Sequence, residues 1–288
     1  MQTISKLYRA LLCNGTICAC VLDTKNIIFE AQRRHNTSPL STAVLGETMT
    51  LCAYFASWLK RDKSALSLSI DGRGAGGRIS VTSDGNLNLS GNIENADAAL
   101  PLLPDGELDL AACVGDTGSF TIVRADGGMP TSGTSELYSG ILGEEFESYF
   151  LSSEQRLAAA VLSEKITGNE IQSAGGILLE ALPGAEKEDF LRLKSLLPDR
   201  KTLAKLLEEG ADKILKALFG AQDVIEREIN FRCRCTKDKA SLAVRSLGEA
   251  DARALIAECG TIIVRCPDCN HAYEFDEEDI TELFSNNG

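Results

Sequence analysis

The chain has 288 residues, of which 44% are hydrophobic and 25% charged, and this balance excludes wholesale disorder and a small disulfide-stapled fold. At about 150 residues per domain, the length favours two domains. The 29 Lys and Arg residues are outnumbered by 42 Asp and Glu, and the net charge of −13 disfavours nucleic acid and anionic membranes as partners. Apolar runs are also interrupted well before the roughly 18 residues that a membrane helix needs.

The first part of the chain predicts a strand followed by a long helix. Polar residues at 14–16 break the N-terminal apolar stretch, which indicates a strand rather than a secretory signal. Ser38 followed by Pro39 is typical of a helix N-cap with proline in the first turn, and predicts a helix to about Lys60.

Because the N-terminal stretch does not predict a secretory signal, we expect a cytoplasmic protein. Its ten cysteines are then thiols or metal ligands rather than structural disulfides.

An alternating pattern replaces the helical one from Ala65 onwards. Apolar residues recur at every second position in three short runs, and a turn signal at 84–85 separates the last two, which predicts antiparallel strands; the runs are 66–70, 79–81 and 87–89. Short strands continue to Gly143, residues 144–165 predict a helix, and the apolar run 175–179 completes the domain.

These patterns predict an α+β protein in three parts. Residues 1–184 form an N-terminal antiparallel-sheet α/β domain and residues 185–230 a helical linker. Residues 231–288 form a small C-terminal domain, which carries two close pairs of cysteines and is therefore expected to bind zinc. The linker carries an apolar stripe at helical spacing, formed by Leu203, Leu206, Leu207, Ala211, Ile214, Leu215 and Leu218. Such a stripe is typical of a face packed on a neighbouring domain, and the alternative is a latent binding surface.

The last sixty residues contain two close cysteine pairs. Cys233 and Cys235 form a CxC motif, and Cys266 and Cys269 form a CxxC motif thirty residues further on. Four thiols in paired spacing are a strong signature of a tetrahedral zinc site. Because this segment has few other large apolar residues, we expect zinc to supply much of its folding free energy. Spacing by itself leaves open a structural zinc ribbon that never switches.

Several short motifs occur in a characteristic order along nearly the whole chain. They are HNTSP at 35–39, LG at 45–46, YFLSSEQ at 149–155, GGILL at 175–179, LPG at 182–184, FRCRC at 231–235 and VRCPDCNHAYEF at 264–275. Together they resemble the redox-regulated holdase chaperones, the bacterial heat-shock protein family of about thirty-three kilodaltons.

The resemblance implies a function as well as a fold. In that family the reduced, zinc-bound form is inactive, and oxidation forms two disulfides and releases zinc. Carried over, the disulfides join Cys233 with Cys235 and Cys266 with Cys269. The zinc domain and the linker then unfold and expose a surface for unfolded client proteins. The resemblance further implies a homodimer in the oxidised form and no enzymatic activity, and ATP-binding motifs are indeed missing from the sequence.

Two other classes of function remain as alternatives. A structural zinc-ribbon adaptor binding protein or RNA would need a basic, aromatic-rich groove, whereas the chain is acidic and only 6% aromatic. A thiol oxidoreductase would need its CxxC at a helix N-terminus, but the surrounding sequence predicts strands.

The remaining metal-ligating residue types have simpler interpretations. His271 could replace a cysteine as ligand, but with four thiols nearby we expect it at the surface or beside a ligand. Cys18 and Cys20 repeat the CxC spacing without a second pair near them in sequence, which disfavours a second metal site. We expect most of the six further cysteines to be small buried residues; these are Cys13, Cys18, Cys20, Cys52, Cys113 and Cys259.

Overall fold

The structure is a computed structural model that describes residues 4–285. It divides into two compact units, the first ending at Arg232 and the second starting at Cys233. Residues 185–230, which the sequence predicts to be a helical linker, fall within the first unit. Their action as a separable linker therefore stays a prediction.

The first unit is built around one mixed sheet. Its strands are β1 (Ser5–Leu12), β2 (Ile17–Asp23), β3 (Ala65–Asp71), β4 (Ile79–Asp84), β5 (Asn88–Ile93), β6 (Ser119–Ala125), β7 (Thr131–Glu136), β8 (Ala158–Thr167), β9 (Glu170–Ala181) and β10 (Ile225–Phe231). Their order across the sheet is β7-β6-β3-β4-β5-β10-β1-β2-β9-β8. Neighbouring strands are antiparallel except β5 and β10, which are parallel. The predicted antiparallel strands over residues 65–89 are confirmed as β3, β4 and the start of β5.

Helices cover both faces of this sheet. They are α1 (Lys25–His35), α2 (Pro39–Ala56), α3 (Leu110–Val114), α4 (Leu142–Tyr149), α5 (Lys187–Lys194), α6 (Arg200–Gly210) and α7 (Ile214–Phe219), with a π-helical turn at Phe150–Glu154 and a 3-10 turn at Ala211–Lys213. The predicted start of α2 is confirmed, because the Ser38 side chain accepts a hydrogen bond from the Ser41 amide at 3.1 Å.

Alternate residues of the central strands enter two separate cores. On β2, Cys18, Cys20 and Leu22 join a core with α1 and α2. Ile17, Ala19 and Val21 point to the opposite face and join a second core. A strand buried on both faces is apolar throughout rather than alternating, which is the pattern of β2.

The second core receives the predicted apolar stripe of residues 203–218. Buried members of this core include Phe190 and Leu193 of α5, Leu203 and Leu207 of α6, and Ile214 and Leu215 of α7. The stripe therefore lies against the sheet in this structure, as the packing interpretation expects. Strands β2 and β9 lie so close at Gly175 that a Cβ atom there would be 2.0 Å from the carbonyl oxygen of Leu22.

The predicted helix over residues 144–165 is wrong beyond its first turns. Helix α4 and the π-helical turn end at Gln155, whose φ of 53° is left-handed. Residues 158–167 then form β8, paired with β9 along its whole length. The local sequence AAAVLS is compatible with a helix, and the long-range pairing overrides this weak preference.

Two further elements were not predicted. Residues 25–35 form the helix α1, and residues 225–231, predicted as part of a helical segment, form the strand β10. The alternation of Ile225, Arg227, Ile229 and Phe231 is a period-two signal for a strand.

The second unit is small and contains three helices and a hairpin within its described residues. These are α8 (Lys237–Leu247), α9 (Glu249–Cys259), β11 (Ile262–Arg265), β12 (Ala272–Phe275) and α10 (Glu277–Ser285). Gly260 ends α9 with a φ of 78°, a left-handed conformation that glycine adopts readily. The buried core of the second unit, within its described residues, consists of Val244, Ala252, Ile262, Phe275 and Ile280.

The α+β fold class is confirmed. Among the described helices, none is long and apolar enough to cross a membrane.

Candidate metal centre

The two cysteine pairs lie on two short connections of the second unit. Cys233 and Cys235 lie in the segment before α8, which begins after Thr236; the Thr236 side chain accepts a hydrogen bond from the Lys239 amide at 3.2 Å. Cys266 and Cys269 lie in the turn that joins β11 to β12. The turn thus brings the second pair to the first across thirty residues of sequence.

Within the described residues, the four sulfur atoms form a group that could hold a metal ion. All four Sγ atoms lie within 4.8 Å of one another. Cys233 Sγ is 3.7 Å from Cys266 Sγ, and Cys235 Sγ is 3.5 Å from Cys269 Sγ. A tetrahedral site with zinc–sulfur bonds of about 2.3 Å has sulfur–sulfur edges of about 3.8 Å. The donor set and its spacing therefore fit a single four-coordinate metal ion.

Backbone hydrogen bonds shape the turn that holds the second pair. The Cys266 amide donates to the His271 carbonyl at 2.9 Å, and the Asn270 amide donates to the Cys266 carbonyl at 2.8 Å. Asn270 has a φ of 56°, a left-handed conformation that asparagine tolerates better than most residues. Backbone amides of Asp268 and His271 also donate to the sulfurs of Cys266 and Cys269, respectively. Such donors favour the thiolate form that a metal ion requires.

The thiols differ in their readiness to ionise when no cation is bound. Burial raises the pKa of Cys266 to about 11. Burial also raises the pKa of Cys269. At Cys235 burial opposes ionisation, but hydrogen bonds from Tyr273 and from the neighbouring thiols outweigh it and lower the pKa. Cys235 is therefore the thiol of these three that ionises first.

A tyrosine contacts the cysteine cluster directly. The Tyr273 hydroxyl donates to Cys235 Sγ at 3.1 Å, and this hydrogen bond raises the pKa of Tyr273 to about 12. His271, considered as a ligand from the sequence, stands outside the four-sulfur group; its ring packs edge-on against Tyr273 with centroids 4.6 Å apart. Motif spacing did not indicate a role for Tyr273 at the site. Its place four residues after Cys269 on β12 is a signal that could have found it.

An ion pair joins the two ends of the second unit. Lys237 at the start of α8 donates to both carboxylate oxygens of Asp279 on α10, at 2.7 and 2.8 Å. The Lys237 ammonium also lies 5.2 Å from the ring centre of Phe275. The positive charge of Lys237 is thus shared with an acidic side chain rather than directed at the sulfurs.

The six further cysteines do not join the four-sulfur group. Cys18, Cys20, Cys52 and Cys113 are buried in the first unit, which confirms the expectation for most of them. Cys13 is half-buried, and Cys259 is exposed at the end of α9. Cys18 Sγ and Cys20 Sγ lie 3.7 Å apart. The Arg9 guanidinium donates from Nε to Cys20 Sγ at 3.5 Å, and its positive charge disfavours a metal cation here.

A large mixed sheet, followed by a small unit built around a four-cysteine cluster, defines the class: an α+β protein with a C-terminal site that could bind a metal ion. Comparison with known proteins narrows this class. The family model described as Hsp33 protein matches residues 5–276. The chain is 32% identical over 290 residues to the 33 kDa chaperonin of Staphylococcus carnosus (strain TM300), covering 98% of each chain.

Further relatives agree with this match. The 33 kDa chaperonin of Staphylococcus haemolyticus (strain JCSC1435) is 32% identical over 292 residues and 99% of each chain. The crystal structure of the 33 kDa chaperonin from Thermotoga maritima superposes with a TM-score of 0.89, at 27% identity and 98% coverage of each chain. The chain belongs to the Hsp33 family, so the resemblance found in its motifs is confirmed and a chaperone role is supported.

Proposed function

We propose that this protein is a redox-regulated, ATP-independent holdase that binds unfolding or oxidatively damaged proteins and prevents their aggregation. The observation that carries the proposal is the group of four thiols within 4.8 Å, in a unit whose described residues include only a small apolar core, of five buried residues with six half-buried ones packed against them. A core of that size supplies little folding free energy without a further constraint. Loss of the bound metal therefore unfolds this unit.

In the resting form the four cysteines hold zinc. Zinc, when bound, supplies folding free energy to the second unit and keeps its ligands as thiolates. Cys235, Cys266 and Cys269 accept the hydrogen bonds described above, and their geometry fits the tetrahedral site. The thiolates are the chemical groups that sense the oxidant.

Oxidation converts the four thiolates to two disulfides. In each, two thiolates give up two electrons, and a hydroperoxide takes up these electrons together with two protons from solvent and is reduced to water and an alcohol, or to two waters if it is hydrogen peroxide. A disulfide sulfur is no longer an anionic ligand, so the second unit releases the metal ion and loses its main constraint.

We infer disulfides between Cys233 and Cys235 and between Cys266 and Cys269, as the family resemblance implies. The short sulfur contacts here run between the two pairs, so distance does not favour neighbours in sequence. Peptide mapping of the oxidised protein decides between the two pairings.

Client binding then requires apolar surface. The helices α5, α6 and α7 bury six large apolar side chains against the sheet, and their release would expose both partners of this contact. We further propose that the oxidised protein forms a homodimer, is cytoplasmic and has no enzymatic activity, with neither nucleic acid nor membrane as partner.

The test uses the reduced, zinc-loaded full chain, with and without a peroxide and mild heat. Zinc release and suppression of client aggregation are measured in the same sample, with light scattering for oligomeric state. We expect zinc release together with newly gained suppression. The variant Cys269→Ser removes one of the four clustered thiols. Its matched control is Cys259→Ser, which removes an exposed cysteine outside the cluster. Retained zinc with no suppression would leave a structural zinc adaptor as the better explanation.

A further inference from the structure

Two buried cysteines lie side by side in the first core. Cys18 and Cys20 are two positions apart on β2, so their side chains point to the same face of the sheet, and neither has exposed surface. Their Sγ atoms are 3.7 Å apart, the same separation as between Cys233 Sγ and Cys266 Sγ in the metal centre. The proposed zinc switch uses neither of these two thiols.

Strand β1 places Arg9 directly beside Cys20. The Arg9 guanidinium donates from Nε to Cys20 Sγ at 3.5 Å and from Nη2 to the Ser57 hydroxyl. Its remaining side-chain contact among the described residues is with the ring of Trp58, so no carboxylate pairs with Arg9 there. A partly buried cation is stabilised by an anionic neighbour. Cys20 can provide that anion as a thiolate.

A carboxylate on β9, Glu180, also faces this group. Its two oxygens accept hydrogen bonds from the Tyr54 hydroxyl and from the Arg156 guanidinium. The charge of Glu180 is thus balanced by Arg156, and the charge of Arg9 is left to the sulfur.

The two thiols differ in their readiness to ionise. The hydrogen bond to Cys20 and burial raise the pKa of Cys18, so Cys18 keeps its proton. Burial opposes ionisation of Cys20, but the hydrogen bond from Cys18 and the charge of Arg9 outweigh it and lower the pKa of Cys20. Cys20 is therefore the nucleophile of the pair, because the thiolate is the reactive form of cysteine.

Two other cysteines in the same core serve as a comparison. Cys52 and Cys113 have no exposed surface either. The Cys52 thiol donates to the Val81 carbonyl at 3.7 Å, and burial raises its pKa. Burial also raises the pKa of Cys113, to about 11. Burial without a cationic neighbour thus leaves a thiol protonated, and the contact with Arg9 distinguishes Cys20.

We propose that Cys18 and Cys20 form a second redox site, which a hydroperoxide oxidises to a disulfide without a metal ion. The Cys20 thiolate attacks one oxygen of the hydroperoxide and the O–O bond breaks. Cys20 becomes a sulfenic acid, and the leaving alkoxide or hydroxide takes up a proton from solvent. The Cys18 sulfur then displaces the hydroxyl group, which leaves as water with the Cys18 proton, and the disulfide forms. The site is independent of the proposed function, since it lies in the first unit and contains no zinc ligand.

The backbone of β2 permits this bond near the limit of its reach. At about 3.3 Å per residue, Cα atoms two positions apart on a strand are about 6.6 Å apart, inside the range of about 4.4–6.8 Å that disulfides span. A small oxidant reaches Cys20 by way of Arg9, which contacts both the buried sulfur and the Trp58 ring. Because Trp58 is 41% exposed, movement of Arg9 opens a route that does not require β2 to unfold.

The test follows each cysteine of the zinc-loaded full chain during treatment with hydrogen peroxide. Samples are denatured in an alkylating reagent, reduced, labelled with an isotopic form of the same reagent, and analysed by mass spectrometry. A one-unit difference in pKa changes the thiolate population about tenfold. We therefore expect Cys18 and Cys20 to oxidise together, about tenfold or more faster than Cys52 and Cys113. Equal rates for all four would overturn the proposal.

Unreduced samples show directly whether the bond forms. The tryptic peptide of residues 10–25 contains both cysteines and should lose the mass of two hydrogen atoms. Cys13 lies in the same peptide, so fragment spectra locate the bond, and Cys13→Ser should retain it. Fluorescence of Trp58 reports whether the first unit stays folded; a bond that forms only after unfolding contradicts the proposal.

Variants separate the roles of the three side chains. In Cys18→Ala, a sulfenic acid at Cys20 has no partner and should accumulate in a form that dimedone traps, whereas Cys20→Ala should leave Cys18 reduced. Arg9→Met should slow oxidation by about tenfold or more, and Arg9→Lys, which keeps the charge, should restore most of the rate. Wild-type rates in Arg9→Met, or no trapped sulfenic acid in Cys18→Ala, would refute the mechanism. If Arg9→Met does not fold, the comparison with the other buried cysteines of the wild-type chain still decides.

Cys269→Ser tests the independence from the metal centre. This variant lacks one of the four clustered thiols and should still oxidise Cys18 and Cys20 at the wild-type rate. Loss of their oxidation in Cys269→Ser would show that the pair depends on the metal centre and would overturn the proposal.

Discussion

Leu203 offers the most direct test of whether α6 is a separately releasable element. It has no exposed surface and lies in the second core, where α6 packs on β8 and β9. Leu→Ala at a fully buried site costs about 2–5 kcal/mol, from lost transfer free energy and the cavity left behind. Taking about 3 kcal/mol, the open population of α6 increases on the order of a hundredfold, since about 1.4 kcal/mol is tenfold.

The assay compares hydrogen exchange in Leu203→Ala and the wild type. We expect amides of α6 and α7 to lose protection by about two orders of magnitude, while strands β3 to β6 keep theirs, because those strands belong to the other core. Leu191→Ala on α5 is the matched control; its side chain is 50% exposed, so about 0.5 kcal/mol or less is expected.

Leu203→Ala should also suppress client aggregation in part without oxidant, if release of α6 exposes the client surface. Equal loss of protection across the whole sheet would refute the reasoning, since the two cores would then unfold as one unit. Unchanged protection of α6 would refute it as well. Fluorescence of Trp58, the single tryptophan of the chain, reports global unfolding of the first unit independently.

Three further predictions concern other groups. Cys269→Ser should abolish tight zinc binding and melt α8 to α10, whereas Cys259→Ser should leave both unchanged, as checked by metal analysis and circular dichroism. Tyr273→Phe should raise the pKa of Cys235 in metal-free protein, because its hydrogen-bond donor is lost; an unshifted pH profile of alkylation at Cys235 would contradict this. Glu154 lies between Arg124 and Arg156. Burial opposes ionisation of Glu154, but the two arginines outweigh it and lower its pKa. The ionised Glu154 therefore stabilises the folded first unit, and this stabilisation is lost as pH falls through the lowered pKa. Glu154→Gln should flatten this acid dependence of the free energy of unfolding, measured in urea.

Local patterns predicted the features that depend on neighbours in sequence. Ser38 and Pro39 specify the start of α2, because a cap and a fixed φ act within one turn. The alternation over residues 65–89 specifies antiparallel strands, and the paired cysteines specify a four-thiol site. In each case the information lies within a few residues, and the structure agrees in position as well as type.

Tertiary structure decided the rest. Residues 158–167 become a strand because β9 offers a partner along their whole length, and β10 joins β1 to β5 across distant parts of the chain. The hydrogen bond from Tyr273 to Cys235 spans 38 positions, and the ion pairs of Arg200 with Glu47 and Glu164 join α6 to α2 and β8. The period of a sequence fixes which face of an element is buried, but not which distant element covers it. The raised pKa of Glu164 therefore follows from the fold, because burial and the negative charge of Glu47 on α2, an element far away in sequence, raise it.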